Sequence, residues 1–296
     1  MTVLEAIQRS SEFLAKKGVD SPRLQTELLL AHLLGLPRMQ LYLNFERVLT
    51  EEDVNKFREL VKRRGQREPL QHIVGSTSFC GLEIAVNRNV LVPRPETELL
   101  AERGWQFLNQ LAAETSKSNT HPRPLHAISA LDFGTGSGCL AIALADKCPA
   151  ALLHAIDSSE QALEVARQNA ARLGAGDRIH FVLGEDLQTL PNGIVFNLII
   201  SNPPYIPTAE IETLQPEVRD FDPRQALDGG ADGLDFYRQL ANKASKRLSA
   251  GGKIMLEFGD GQAKNLATIF ESENWVVEEI VEDYTHRPRI LIAGRS

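Results

Sequence analysis

Four consecutive residues, Asn202, Pro203, Pro204 and Tyr205, carry the strongest chemical signal in this chain. The side-chain oxygen of Asn202 and the main-chain carbonyl of Pro203 are two hydrogen-bond acceptors one residue apart, and each can take one N–H of a planar NH2 group. The two prolines fix φ and bring no backbone donor of their own to compete. Tyr205 offers a ring face to a planar amide or base, and an electron-rich ring also suits a nearby sulfonium cation. Such a set fits methyl transfer to an amide or exocyclic amine nitrogen. The lone pair there is delocalised, so a site must align the nitrogen with the methyl and favour the geometry it acquires during attack. No strong general base is required, because the proton becomes acidic only as the methyl arrives. Asn-Pro-Pro-Tyr also suits a plain turn. Its position, closing the strand-like run at Phe196–Ser201, favours the chemical reading.

A second group points to a nucleoside ligand. The run SALDFGTGSGCLAIALA sets Asp132, Gly134, Gly136 and Gly138 between a strand-like and a helical pattern. Glycines there permit unusual φ and close approach of a ligand to the backbone. The spacing is GxGxG; a dinucleotide fingerprint would need glycine where Cys139 stands. The next strand-like run ends in Asp157, whose carboxylate can accept hydrogen bonds from both ribose hydroxyls, although taken alone it also suits an N-cap. After the third strand come Gly184, Glu185, Asp186 and Leu187. Asp186, or its neighbouring backbone, can reach an adenine edge, because open α/β sheets bind ligands at their carboxyl ends; a solvated loop carboxylate is the alternative.

These groups need elements to hold them. From Thr2 to about Gly65 apolar residues recur at helical spacing, and Thr50 followed by Glu51, Glu52 and Asp53 predicts an N-cap with an acidic first turn. HIVGSTSFCGLEIAV, from His72 to Val86, predicts a β-hairpin. Beyond Pro95, strand-like runs at Ala127–Phe133, Leu152–Ile156, Ile179–Leu183, Phe196–Ser201 and Lys253–Phe258 alternate with helical patterns, which predicts a parallel sheet with crossover helices. Trp275–Val281 and Arg289–Ile292 are expected to close one edge as an antiparallel pair, and Thr115–Pro124 reads as a polar loop. The expected organisation is a helical domain at 1–70, a hairpin linker at 71–88 and an α/β domain at 89–296. Its sheet is mostly parallel and seven-stranded.

A formal net charge of -7 and a pI near 5.6 argue against affinity that comes mainly from neutralising nucleic-acid phosphates. The basic stretch Lys62, Arg63, Arg64 and Arg67 suits the dipole at the end of a helix, a reading favoured over a nucleic-acid role. Cys80, Cys139 and Cys148 form no CxxC pair and suggest reduced thiols, with neither a disulfide framework nor a metal site. No apolar run approaches a bilayer span and the N-terminus lacks a signal-peptide core, so a cytoplasmic protein is expected.

With these motifs in place, the chain resembles the Rossmann-like class I methyltransferases that act on planar amino groups. They include DNA adenine-N6, some ribosomal RNA guanine-N2 and protein glutamine-N5 enzymes, and the tetrapeptide does not choose among them. LVPRPETELL at Leu91–Leu100, EVRDFDPRQALDGGADGLDFYR at Glu217–Arg238 and REPLQHIVGSTSF at Arg67–Phe79 make the choice. With the helical N-terminal region, they are similar to peptide chain release factor glutamine methyltransferases over nearly the whole chain. The resemblance implies S-adenosylmethionine as methyl donor and class 1 release factors as protein partners, with the glutamine of their Gly-Gly-Gln loop as the acceptor. By it, Gly134, Thr135, Gly136, Ser137 and Gly138 line the methionine end of the cofactor, and Asp157 holds the ribose. Asp186 and Leu187 then lie at the adenine, Leu187 standing where relatives place an aromatic. Asn202, Pro203, Pro204 and Tyr205 embrace the glutamine amide, while Arg94, Glu96 and Glu98 shape the pocket or simply start a helix. A monomer without direct nucleic-acid or membrane contact is expected, its helical domain recognising the partner. A base methyltransferase, a ribosomal-protein glutamine methyltransferase, a non-catalytic scaffold and a nicotinamide or flavin oxidoreductase are the competing readings.

Overall fold

The computed structural model describes residues 1–117 and 128–295; from residue 118 on, the expected polar loop at Thr115–Pro124 lies outside the described residues. The chain begins with α1 (Val3–Lys16), α2 (Pro22–Leu34), α3 (Arg38–Tyr42), α4 (Glu51–Gly65) and α5 (Leu70–Val74), followed by a hairpin of β1 (Ser76–Phe79) and β2 (Leu82–Ala85). Then come α6 (Pro95–Lys117), β3 (Ile128–Phe133), α7 (Cys139–Lys147), β4 (Ala151–Asp157), α8 (Glu160–Arg172), β5 (Ile179–Leu183) and β6 (Phe196–Ser201). The remainder is α9 (Pro216–Arg219), α10 (Asp235–Lys243), β7 (Leu248–Glu257), α11 (Ala263–Ser272), β8 (Trp275–Glu282) and β9 (Pro288–Arg295). Two compact units result: Met1–Ser76 with Leu214–Phe221, and Thr77–Thr213 with Asp222–Ser296.

In the first unit, Thr2 caps α1 in a reciprocal box with Glu5, and Thr50 caps α4 by accepting from the Asp53 N–H. The apolar stripes so aligned bury Val3, Ile7, Leu14, Leu29, Leu30, Phe57 and Val61 in one core. Each such side chain contributes about 1.5–3 kcal/mol by leaving water. The segment 214–221 joins this unit through Glu217. Its carboxylate accepts from Arg67 Nε (2.6 Å) and Nη2 (2.6 Å) and from Arg64 Nη2 (2.7 Å). The sequence did not announce this return of the chain.

The second unit carries a sheet in the order β5-β4-β3-β6-β7-β9-β8, parallel except that β9 runs against β7 and β8. This is the expected seven-stranded architecture with its antiparallel closing pair. The central strands ISALDF and FNLIIS are almost wholly buried, as parallel strands covered on both faces must be. Gly104 brings α6 close to the sheet, since a Cβ there would stand 3.0 Å from Leu144 Cδ2 and 3.1 Å from Ile200 Cδ1. The hairpin turns through Cys80 (φ 50°) and Gly81 (φ 80°), the two positive values of a type I′ turn. It docks on α8 through Asn169, which receives the Ala85 N–H (2.8 Å) and donates to the Ala85 carbonyl (3.0 Å).

The strand order reverses between β3 and β6: successive strands step from β3 to β4 and β5 on one side, then to β6 and β7 on the other. Ligands of open α/β sheets bind at such a point, outside the carboxyl ends of the strands. The register aligns Asp132 with Ile200 and with Ala155, so the glycine loop after β3, Asp157 at the end of β4 and Asn202 after β6 leave the same edge.

Candidate active site

At the end of β6, Ser201 donates its hydroxyl to the Phe133 carbonyl (2.5 Å) and ties the two strand ends together. The half-buried Asn202 donates from Nδ2 to Thr97 Oγ1 (3.0 Å), and Thr97 donates to Glu257 Oε2 (2.7 Å). Among the described residues, no hydrogen bond is made to Asn202 Oδ1 or to the Pro203 carbonyl, the two acceptors expected to hold an NH2 group. Pro203 is buried and Pro204 half-buried.

The backbone after Pro204 is clamped. Ile206 donates to the Leu227 carbonyl (3.0 Å) and accepts from Gly229 (2.9 Å), while Gln262 Nε2 donates to the Tyr205 carbonyl (2.9 Å). A Cβ at Gly229 would meet the Pro204 carbonyl oxygen at 2.8 Å, and one at Gly233 would meet that of Tyr205 at 2.3 Å. The Gly229–Gly233 stretch is therefore glycine-rich because it lies directly on the main chain of the tetrapeptide. The Tyr205 ring packs against Gly259, and burial, with Glu257 contributing next, pushes its hydroxyl up to about 12.

A cleft of about 710 Å³, its open mouth included, is bordered by Phe133, Gly134, Gly136, Asp157, Asn202 and Pro204 among others. Gly134 and Gly136 have φ of 76° and 54°, and a Cβ on either would meet nothing within 4 Å, so their backbones present open faces. Asp157 receives the Gly136 N–H at Oδ2 (2.8 Å) and the Ser159 N–H at Oδ1 (2.9 Å). Burial raises its pKa and these N–H donors work against the rise. Thr135, Ser137 and Gly138 lie behind the loop rather than on the cleft. Thr135 donates to the buried Asp132 (2.6 Å), Ser137 is buried, and a Cβ at Gly138 would be 3.0 Å from Ala166 Cβ. Burial lifts Asp132 to about 7, opposed by bonds from Thr135 and the Ala141 N–H.

The third strand end is arranged differently from expectation. Asp186 is ion-paired with Lys243 and receives the Gln188 N–H (3.0 Å), which lowers its pKa, and it does not border the cleft; Gly184 and Glu185 do. Asp186 and the buried Leu187 border an adjoining smaller cavity together with Phe133 and Phe236. The physical reason is local: Asp186 caps the 3-10 turn that follows it, a use of Asp that competes with ligand binding. The rings of Phe133 and Phe236 stand 5.3 Å apart at 53°, so α10 supplies an aromatic wall where position 187 has none.

Further polar residues lie near the tetrapeptide, Glu257, Arg94 and Glu96 among them. Glu257 is buried and pushed up to about 7 by desolvation, which outweighs its bond from Thr97. Arg94 pairs with buried Asp222 (2.7 Å), whose carboxyl burial raises to about 6. Glu98 accepts the Cys80 N–H (2.9 Å) and so serves the hairpin, while Glu96 is exposed. Thr97, Glu257 and Phe236 were not among the expected site residues. Thr97 carried a weak signal, standing between the two acids Glu96 and Glu98.

The open glycine backbones beside a carboxylate at the strand-order reversal fit a nucleoside with a ribose diol, and the free acceptors of Asn202 and Pro203 fit an NH2 group next to it. This fold and site define a Rossmann-like, S-adenosylmethionine-dependent methyltransferase. The methyltransferase small domain family matches residues 116–215, and the PrmC N-terminal domain family matches residues 5–75. The release factor glutamine methyltransferase of Geobacter sulfurreducens is 44% identical over 91% of this chain and 88% of its own length. That of Chlorobaculum tepidum is 41% identical over 98% and 96%. A methyltransferase from Pyrococcus furiosus, 19% identical with a TM-score of 0.51 over 78% of this chain and 97% of its own, shares the fold. The chain belongs to the release factor glutamine methyltransferase family.

No helix among the described residues is long and apolar enough to cross a membrane, and no group of three or more His, Cys, Asp or Glu side chains among them is placed to hold a metal ion.

Proposed function

We propose that the protein methylates the side-chain amide nitrogen (N5) of the glutamine in the Gly-Gly-Gln loop of class 1 peptide chain release factors, using S-adenosylmethionine, in the cytoplasm. The observation that carries the reading is the pair of unengaged acceptors, Asn202 Oδ1 and the Pro203 carbonyl, beside the cleft that Gly134, Gly136 and Asp157 border. S-Adenosylmethionine, when bound, supplies an electrophilic methyl group on a sulfonium sulfur. Gly134 and Gly136 would border it with open backbone and Asp157 would hold its ribose hydroxyls, with Phe236 and Leu187 giving apolar cover to the base. Asn202 Oδ1 and Pro203 O would each accept one N–H of the glutamine, which fixes the amide plane and turns the nitrogen toward the methyl. Two strong acceptors favour the more acidic N–H groups that develop as the nitrogen gains its fourth substituent, so they bind the transition state better than the ground state. One proton then leaves to water, and no side-chain base is needed. Tyr205 would close the pocket with its ring. The helical unit would recognise the folded partner, because a pocket for one amide cannot single out one glutamine.

The test is mass spectrometry of a bacterial release factor incubated with the protein and S-adenosylmethionine, with Asn202→Ala in parallel. Gain of one methyl mass, about 14 Da, on the Gly-Gly-Gln peptide, dependent on Asn202, supports substrate and amide orientation together. An unmodified glutamine with cofactor binding intact would refute this substrate and direct the search to ribosomal-protein glutamines.

A further inference from the structure

The bonds behind Asn202 form a chain in which the position of one proton decides the polarity of the amide pocket. A threonine hydroxyl has one hydrogen and two lone pairs. Thr97 Oγ1 stands 2.7 Å from a Glu257 carboxylate oxygen, and an ionised carboxylate only accepts, so the hydroxyl hydrogen is committed there. A lone pair is left toward Asn202 at 3.0 Å, and only Nδ2 can meet it. Oδ1 is therefore turned the other way, where it can accept. Rotating the Asn202 amide by half a turn would oppose two oxygen atoms at Thr97 and present an NH2 to the incoming NH2, donor against donor.

We propose that Thr97 and Glu257 are positioning residues that fix which way the Asn202 amide faces, and so make the pocket an acceptor of substrate N–H groups. The inference rests on the methyltransferase reading above. Both side chains are buried, at 2% exposure each, and sit on elements distant in sequence, α6 and the end of β7. The end of β7 is itself held, since Tyr237 donates its hydroxyl to the Glu257 carbonyl (2.7 Å). The charged groups that bear on Glu257 are Glu96, Arg289 and Arg94. Both arginines have anions of their own: Arg94 pairs with Asp222 (2.7 Å) and Arg289 with Asp283 (3.2 Å). A protonated Glu257 can donate to Thr97, release its hydroxyl hydrogen toward Asn202 and so permit the unproductive amide. Burial places that titration at about 7, so activity rises with pH through this region.

The experiment is steady-state methylation of a release factor by the full-length enzyme and its Thr97→Val, Thr97→Ser, Glu257→Gln and Asn202→Ala variants. A Thr97→Val/Asn202→Ala double variant completes the set, and S-adenosylmethionine affinity is measured in parallel. Thr97→Val is expected to lower kcat on the order of 100-fold with cofactor Kd unchanged, the cost of misplacing a positioning group. Thr97→Ser restores the rate. In the double variant the Thr97 change adds nothing to the Asn202→Ala loss, because its effect passes through Asn202. Glu257→Gln removes the part of the rising pH limb near 7; the Asp222 and Asp132 titrations remain in both profiles. Full kcat in Thr97→Val, a Thr97 effect that persists without Asn202, or a Glu257→Gln pH profile superimposable on the parent each overturns the inference. The last test stands even where Thr97→Val does not fold. Undiminished activity of Asn202→Ala overturns the active-site reading itself and this inference with it, an outcome distinct from the other three.

Discussion

Replacing Gly233 by alanine tests whether the glycine stretch after the tetrapeptide is a clamp or merely a loop. Two costs combine at this position. Its φ is 76°, a left-handed value that costs an L-residue about 1–2 kcal/mol. Its new Cβ would also lie 2.3 Å from the Tyr205 carbonyl oxygen and 2.7 Å from Gln262 Nε2, so the main chain or the bond between those groups must yield. Overpacking of this kind costs about 1–3 kcal/mol, and the lost hydrogen bond about 1 kcal/mol more. The expected destabilisation is about 3–6 kcal/mol. Gly261 is a built-in control, with φ 77° and nothing within 4 Å of its Cβ position. Gly261→Ala should cost only the backbone strain, about 1–2 kcal/mol. Urea unfolding of both variants, followed through the second unit's Trp275, measures the difference. In the folded fraction of Gly233→Ala, kcat should fall by an order of magnitude or more while cofactor Kd changes little, because the displaced atom belongs to Tyr205 and not to the glycine loop. Equal stabilities, within about 0.5 kcal/mol, or an unchanged kcat would refute the clamp, since strain alone would then account for Gly233.

Asp157→Ala removes the carboxylate proposed to hold two ribose hydroxyls. At about 1.5–3 kcal/mol for a charged hydrogen bond, calorimetry should show S-adenosylmethionine affinity reduced at least 10-fold, and an unchanged Kd would remove Asp157 from the site. Phe236→Ala should weaken the same ligand about 3- to 10-fold, the worth of one aromatic contact, whereas Asp186→Asn should leave Kd nearly unaltered, because that carboxylate already serves Lys243 and a turn. Glu217→Ala strands Arg64, only 4% exposed, and should lower the urea midpoint of the helical unit by the equivalent of about 2–4 kcal/mol; a midpoint within error of the parent would show that Gln25 and the Glu68 carbonyl suffice for Arg64. Asp132 binds its proton more tightly folded than unfolded, so it contributes a loss of stability as pH rises from about 4 to 7. Asp132→Asn should flatten that slope in denaturation curves, and an unaltered slope would assign it to other buried acids.

The sheet was legible because its central strands are continuous apolar runs between turn residues, a pattern that a covered parallel sheet imposes on sequence. The strand start most misplaced was that of β7, expected at Lys253 and found at Leu248. Gly251 and Gly252 read locally as a turn, yet a Cβ at Gly252 would stand 2.9 Å from the Phe196 carbonyl, and the β6–β7 register shifts at that point. The pairing, not the residues' own preference, extends the strand. Within the candidate site, Asn202, Gly134, Gly136 and Asp157 were legible because each sits at the end of a strand or in the loop that follows it, where chain position alone fixes the edge it occupies. Thr97 and Glu257 were not, because Thr97 meets Asn202 from 105 residues away and Glu257 meets Thr97 across 160. Nor was the helical unit's capture of 214–221, which depends on Arg64 and Arg67, residues whose local context suggested the end of a helix or, less strongly, a polyanion contact. The distinction has a chemical consequence. The atoms proposed to touch the ligands are set by local strand-to-loop geometry, but the bonds proposed to turn the Asn202 amide join residues far apart in sequence. A chain with an intact Asn-Pro-Pro-Tyr and an apolar residue at 97 or 257 should therefore bind S-adenosylmethionine through the same glycine loop yet transfer its methyl group slowly.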